Sequence, residues 1–225
     1  MTSTQTYLLL HGGGGAATMT EFAGLLADRT GAQVLAPVHP GFAGTPKPAE
    51  LTGVASLARY YVAMLDERDL TGVTVLGNSF GGWLAAEIAL LASPRVTAAA
   101  IVNGVGVEIA GHPVTDVRGL TLAEIQAHSW HDPSKAPAPG TGPSPDVQAL
   151  LGYTGPSMAD PTLLGRLSDV RIPVHVLWGE SDRIVDPGYG KAYAAAIPGS
   201  TFTLLPRTGH LPQLETPEEL LEALL

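Results

Sequence analysis

Val73-Thr74-Val75-Leu76-Gly77-Asn78-Ser79-Phe80-Gly81-Gly82-Trp83-Leu84-Ala85-Ala86 runs from a β-branched, apolar segment of strand length, through Gly-x-Ser-x-Gly, straight into an Ala/Leu-rich helical pattern. The backbone must reverse around Ser79, which is the strand–turn–helix arrangement of a nucleophile elbow. A serine at the tip of such a turn is held in a strained conformation, tolerable only where the residues two before and two after carry no side chain to collide. Gly77 and Gly81 meet that need. The turn lifts the hydroxyl above the carboxyl end of the strand and puts the Phe80 amide at a helix N-terminus, where donors are free and the dipole favours negative charge. In a chain with 27 glycines the five-residue pattern alone is weak, and the elbow rests on its context of strand before and helix after.

Outward from the elbow, strands and helices alternate. Tyr7 to Leu10 reads as a buried strand leading into His11-Gly12-Gly13-Gly14-Gly15, followed by helical spacing from Ala16 to Arg29. Gln33 to Pro37 is a second short strand, and the Pro/Gly-dense Val38 to Pro48 is a loop before a helix over Leu51 to Leu65. After the elbow helix, to about Leu91, comes a strand over Val96 to Val102. Pro173 to Gly179 and Thr201 to Leu205 are the last two strands, with a helix from about Gly188 to Ala196 between them. In the closing segment Thr216 is expected as N-cap, Pro217 as first helical residue and Glu219 as reciprocal capping partner. Such continuous apolar runs predict a parallel sheet of six strands buried by helices on both faces.

The alternation breaks between about residues 107 and 170, where no run has strand quality. Short helices are expected over Thr121 to Ser129, Asp146 to Leu151 and Asp160 to Leu167, and Asp132 to Pro145 is too rich in proline for regular structure. The segment reads as a lid inserted into a single domain spanning residues 1–225.

Composition narrows the partners. A net charge of -9 leaves no basic stripe for phosphates or anionic headgroups, so neither nucleic acid nor a membrane is an expected partner. The absence of cysteine excludes disulfides, thiolate metal sites and a cysteine nucleophile. No positive residue precedes the apolar run Tyr7 to Leu10, which is too short for a signal-peptide core or a membrane span, so a soluble, cytoplasmic protein is expected. Oligomeric state is not legible.

In open parallel sheets, binding groups collect on the loops that leave strand carboxyl ends. Four such loops carry chemistry here: Gly12 to Gly15, Ser79, Glu180-Ser181-Asp182, and His210. A serine hydroxyl needs a base to take its proton, and an imidazole does this best when a carboxylate fixes its tautomer. His210 suits the first role and Asp182 the second, with Glu180 and Asp186 as competing acids. The amides of Phe80 and Gly13, with Gly14 next, are the expected oxyanion donors. Of the other histidines, His175 reads as core, His112, His128 and His131 as exposed or lid contacts, and His11 and His39 as anchors of their loops.

These pieces together resemble the α/β-hydrolase superfamily. The resemblance is carried by His11-Gly12-Gly13-Gly14, Pro40-Gly41-Phe42-Ala43-Gly44-Thr45-Pro46, Gly77-Asn78-Ser79-Phe80-Gly81-Gly82, Trp178-Gly179-Glu180-Ser181-Asp182-Arg183-Ile184-Val185 and Gly209-His210-Leu211-Pro212. It implies a serine hydrolase of carboxylesterase type with Ser79 as nucleophile, Asp182 as acid and His210 as base, acting on a small-molecule substrate with no cofactor and no metal. Two departures stand out. Members of the superfamily usually have a further hairpin before the His-Gly strand, and His39 stands where they commonly carry aspartate.

Three other readings make different demands. Gly-Asn-Ser-Phe-Gly-Gly is similar to the elbow of carbon–carbon bond hydrolases, which must hold a substrate carboxylate; Arg118 and Arg166 are the candidates for that. Gly12, Gly14 and Ala17 match a dinucleotide fingerprint, but Val34 to Pro37 lacks the acidic residue that would bind ribose. A non-catalytic binding protein on the same fold is the remaining class. Trp130, Tyr153 and Met158 are candidates either to line an apolar acyl site or to pack within the lid itself.

Overall fold

The computed structural model describes residues 5–138 and 146–225. Among them, six strands form one sheet: β1 (Thr6–Leu10), β2 (Gln33–Leu35), β3 (Val73–Asn78), β4 (Val96–Val102), β5 (Val174–Gly179) and β6 (Thr201–Leu205). The order across the sheet is β2-β1-β3-β4-β5-β6, and every neighbouring pair is parallel. Parallel pairing requires crossovers, and the helices that provide them cover both faces.

Alternation along each strand divides the core in two. Leu8 and Leu10 of β1, Val73 and Val75 of β3, and Val174, Val176 and Trp178 of β5 face one side. There they pack on α1 (Val54–Glu67), α2 (Phe80–Leu90) and α3 (Pro187–Ala195). Tyr7, Leu9, Leu76, Ala100, Val102 and Leu177 face the other side, against α4 (Thr20–Thr30) and α5 (Pro217–Leu224). The helix after the elbow, α2, is buried all round except at Leu90, which explains why its sequence shows no polar face. At the edge, β2 is only partly covered.

The register aligns the strand ends. Leu10 lies opposite Gly77, and Gly77 opposite Ile101, so the loops after β1, β3 and β4 leave from one rim. Between β4 and β5 the chain forms α6 (Leu122–Ser129), α7 (Asp146–Thr154) and the single-turn α8 (Leu163–Arg166), close to the three helices read from sequence. The first of them carries a capping box, Thr121 with Glu124. Within the proline-rich loop, Pro133–Lys135 makes one tight turn, capped by Asp132, in a stretch read as wholly irregular. Residues 139–145 of that loop lie outside the described residues.

The expected capping box at Thr216 does not form. A four-residue helix, α9 (Pro212–Glu215), ends at Thr216, so its backbone is held between two helices. Its hydroxyl turns instead to that of Thr208, 2.9 Å away.

Candidate active site

Ser79 sits between β3 and α2 with φ +57° and ψ -117°, the left-handed side that a serine adopts only when its surroundings force it. The force is visible in the packing. A β-carbon on Gly77 would stand 1.9 Å from the Gly81 carbonyl oxygen, and one on Gly81 would stand 2.0 Å from that of Leu10. Both glycines are thus required by close backbone approach, as read from the motif. Ser79 is buried at the rim of the sheet, and its hydroxyl makes no hydrogen bond with another described residue.

The loops after β5 and β6 bring Asp182 and His210 together. His210 Nδ1 lies 2.8 Å from Asp182 Oδ2, with both residues buried. A carboxylate acceptor places the ring proton on Nδ1 and leaves Nε2 with a lone pair. Asp182 is further held by donors: the amides of Ile184 and Val185 reach Oδ1 at 2.8 and 3.1 Å, and Asn103 Nδ2 reaches Oδ2 at 2.5 Å. The competing acids are engaged elsewhere. Asp186 caps α3 and pairs with His112, and Glu180 accepts from the Arg207 amide.

Asn78 and Asn103 are the residues that sequence reasoning passed over. Asn78 Nδ2 donates to the His210 carbonyl at 2.9 Å, and its Oδ1 accepts from Gln213. Both asparagines are the last or next residue of a parallel strand, on the same rim that singled out the other candidates, so their position was a usable signal. A second anchor, Glu215, accepts from the amides of Gly209, His131 and Asp132, tying the histidine loop to the chain after α6.

The amides of Gly13 and Phe80 donate to no other described residue. For Phe80 the reason is general, since the first residue of a helix has no carbonyl a turn before it. Gly12 lies against the elbow, where an added β-carbon would be 3.0 Å from Ser79 Cβ. Leu150 of α7 covers Gly13, and beside it a cavity of about 230 Å³ is walled by Val114, Val117, Leu151 and Met158. Tyr153 instead packs by Phe42 and Phe80 and donates to the Pro40 carbonyl, while Trp130 is buried beside Gly209.

His11 and His39 are fully buried, with ring centroids 3.8 Å apart, and anchor their loops as read. Burial lowers the pKa of both, and the neighbouring His11 lowers that of His39 further. His175 bonds Thr203 across β5 and β6, a half-buried strand contact. The two arginines proposed for a substrate carboxylate are taken. Arg166 forks onto buried Glu87 at 2.9 and 2.7 Å and also holds Asp160, and Arg118 folds onto Asp116. Among the described residues no group of three or more His, Asp or Glu side chains gathers as a metal ion would require. None of their helices is long and apolar enough to cross a membrane.

The profile of the alpha/beta hydrolase family matches residues 7–223. The chain belongs to the alpha/beta hydrolase family. Among sequenced relatives, an uncharacterised protein of Mycobacterium tuberculosis is 26% identical over 250 residues, covering 96% of this chain and 72% of that one. Among solved structures, a bromoperoxidase from Bacillus anthracis superposes with a TM-score of 0.81 at 20% identity, over 99% of this hydrolase-family chain and 91% of its own. A meta-cleavage product hydrolase from Pseudomonas fluorescens gives 0.75 at 19% identity, over 98% and 90%. At such identities the two structures share the fold with this alpha/beta hydrolase, and that alone.

Proposed function

We propose that this alpha/beta hydrolase cleaves a small ester through an acyl-enzyme on Ser79. The observation that carries the reading is the His210–Asp182 pair on the same rim as a Ser79 hydroxyl and two amides that bond no other described residue. In the first half-reaction Ser79 Oγ attacks the ester carbonyl while His210 Nε2 takes its proton. Asp182 steadies the imidazolium, and the Gly13 and Phe80 N–H groups receive the oxyanion. Collapse expels the alcohol, which takes the proton back from His210. Water then enters, gives its proton to His210 and releases the acid as Ser79 recovers its own. An apo structure need not show the serine–histidine hydrogen bond, which commonly tightens only with substrate present.

The segment of residues 107–170 acts in this reading as a lid, and the small apolar cavity beside Leu150 receives the acyl chain. Carbon–carbon bond hydrolysis finds less support, because Arg118 and Arg166 are committed to carboxylates of the protein itself. A non-catalytic role has no feature in its favour, since nothing described occupies the Ser79 hydroxyl and His210 faces its carboxylate. The protein is taken to be cytoplasmic. Labelling with a fluorophosphonate tests the assignment: wild type is expected to react and Ser79→Ala to stay unlabelled, and equal labelling of both would refute it. Rates over aryl esters of increasing acyl length are expected to peak at short chains.

A further inference from the structure

The peptide between Gly12 and Gly13 is held from its carbonyl side. His11 Nδ1 lies 2.8 Å from the Gly12 oxygen, and the Gly15 amide donates to the same oxygen at 3.1 Å. In a planar trans peptide the C=O and N–H point in opposite directions, so fixing the Gly12 carbonyl on the His11 ring turns the Gly13 N–H away from that ring.

The His11 ring is itself fixed by a mutual bond with His39. The His39 main-chain N–H donates to His11 Nε2 at 3.1 Å, and His39 Nε2 lies 3.0 Å from the His11 carbonyl. These contacts determine the protons. A main-chain amide can only donate, so His11 Nε2 carries a lone pair and its proton is on Nδ1, directed at Gly12. A carbonyl can only accept, so His39 carries its proton on Nε2. In the neutral ring its Nδ1, 2.6 Å from the Tyr61 hydroxyl, then accepts from that phenol, which α1 supplies. All three residues are essentially without solvent exposure, and Phe42 and Phe80 enclose the rings edge-on.

We propose that His39 and His11 are positioning residues that act as one neutral unit, braced by Tyr61, to aim the Gly13 amide at the oxyanion of the ester substrate. The inference rests on the proposed hydrolase reading for its consequence, but the hydrogen-bonded unit exists or fails independently of it. It also accounts for histidine at position 39: the ring supplies an N–H to the carbonyl at the root of the glycine loop and a lone pair to Tyr61, and a carboxylate could not donate that first bond.

Two measurements test it. Nitrogen-15 shifts of the histidine rings at pH 6.5 are expected to show the Nδ1–H tautomer for His11 and the Nε2–H tautomer for His39. In His39→Leu the Gly13 amide resonance is expected to move, and in His39→Gln, whose amide nitrogen replaces Nε2, to stay near its wild-type place. The other tautomers, a charged ring, or a Gly13 resonance unmoved in His39→Leu would overturn the unit. The second measurement compares an aryl ester with its thionoester, whose sulfur accepts hydrogen bonds poorly and so draws little on the oxyanion donors. His39→Leu is expected to lower kcat on the ester about tenfold, less than the loss of a whole donor. KM should change little, the ester-to-thionoester rate ratio should fall by a similar factor, and His39→Gln should recover most of both. A lower kcat with an unchanged ratio would mean a merely structural role. If the wild type cleaves neither compound, the hydrolase reading falls, while the ring tautomers and the Gly13 resonance still decide the unit.

Discussion

Asn103 donates its side-chain amide to the Asp182 oxygen that also faces His210 Nδ1. The asparagine holds φ +48°, a region it tolerates better than most residues, at the end of β4 where its side chain can reach across to the β5 loop. Asp182 is thereby held from two sides, by Asn103 and by the amides of its own loop.

Replacing that asparagine should loosen Asp182 more than it unfolds the protein. Asn103→Ala removes one hydrogen bond to a charged group, for which about 1.5–3 kcal/mol is typical, and it adds backbone strain at a positive φ. Aryl-ester kcat is expected to fall about tenfold with a lower midpoint in thermal denaturation. Full activity would show that the loop amides alone fix Asp182.

The elbow glycines should be intolerant where an exposed helical glycine is not. Gly77→Ala must move the Gly81 backbone, and a cost above about 3 kcal/mol is expected from forced overpacking. Gly24→Ala, at an exposed site in α4 with nothing within 4 Å of the added carbon, should stabilise by about 0.5–1 kcal/mol. Urea denaturation of the two variants checks both signs.

Stability should decline as pH falls below the ordinary histidine value. His11 and His39 have lowered pKa values in the folded protein, chiefly through burial, although the bond to the Gly12 carbonyl and then Asp146 partly oppose the shift at His11. Above about pH 6.5 both states hold these rings neutral and the contribution is flat. Below that value the unfolded chain takes up protons that the native protein refuses, so unfolding becomes easier by about 1.4 kcal/mol per pH unit for each such histidine, until the folded-state pKa is reached. His39→Gln should reduce the slope measured by denaturation between pH 6.5 and 5; an unchanged slope would mean that His39 is not held neutral.

Arg166 serves stability in this structure. Arg166→Met leaves Glu87 buried without its partner, and because the arginine is partly exposed the expected cost is about 2–3 kcal/mol, below the 3–5 kcal/mol typical of a fully buried pair. KM for a substrate bearing a carboxylate should be unchanged, whereas a large rise would restore the carbon–carbon hydrolase reading.

Much of this molecule is written locally. The strands are continuous apolar runs, the turn at Ser79 is announced by the glycines that close approach demands, and the gathering of Ser79, Asp182 and His210 at one edge follows from the rule that parallel strands end on one rim. The capping of α5 escaped that reading because Thr216 had a nearer partner in Thr208, a residue of the preceding loop.

The sequence by itself therefore determined the layered parallel fold, the elbow and the side chains available at its rim, since periodicity and steric clearance are properties of short segments. Only the tertiary structure decided which carboxylate meets His210, that Asn103 and Asn78 brace the pair, that Arg166 is occupied by Glu87, and that His11 and His39 lock into one another. Each of those depends on residues from 28 to 132 positions apart converging within hydrogen-bonding distance, where a proton's place on a ring is set by which acceptor or donor happens to face it.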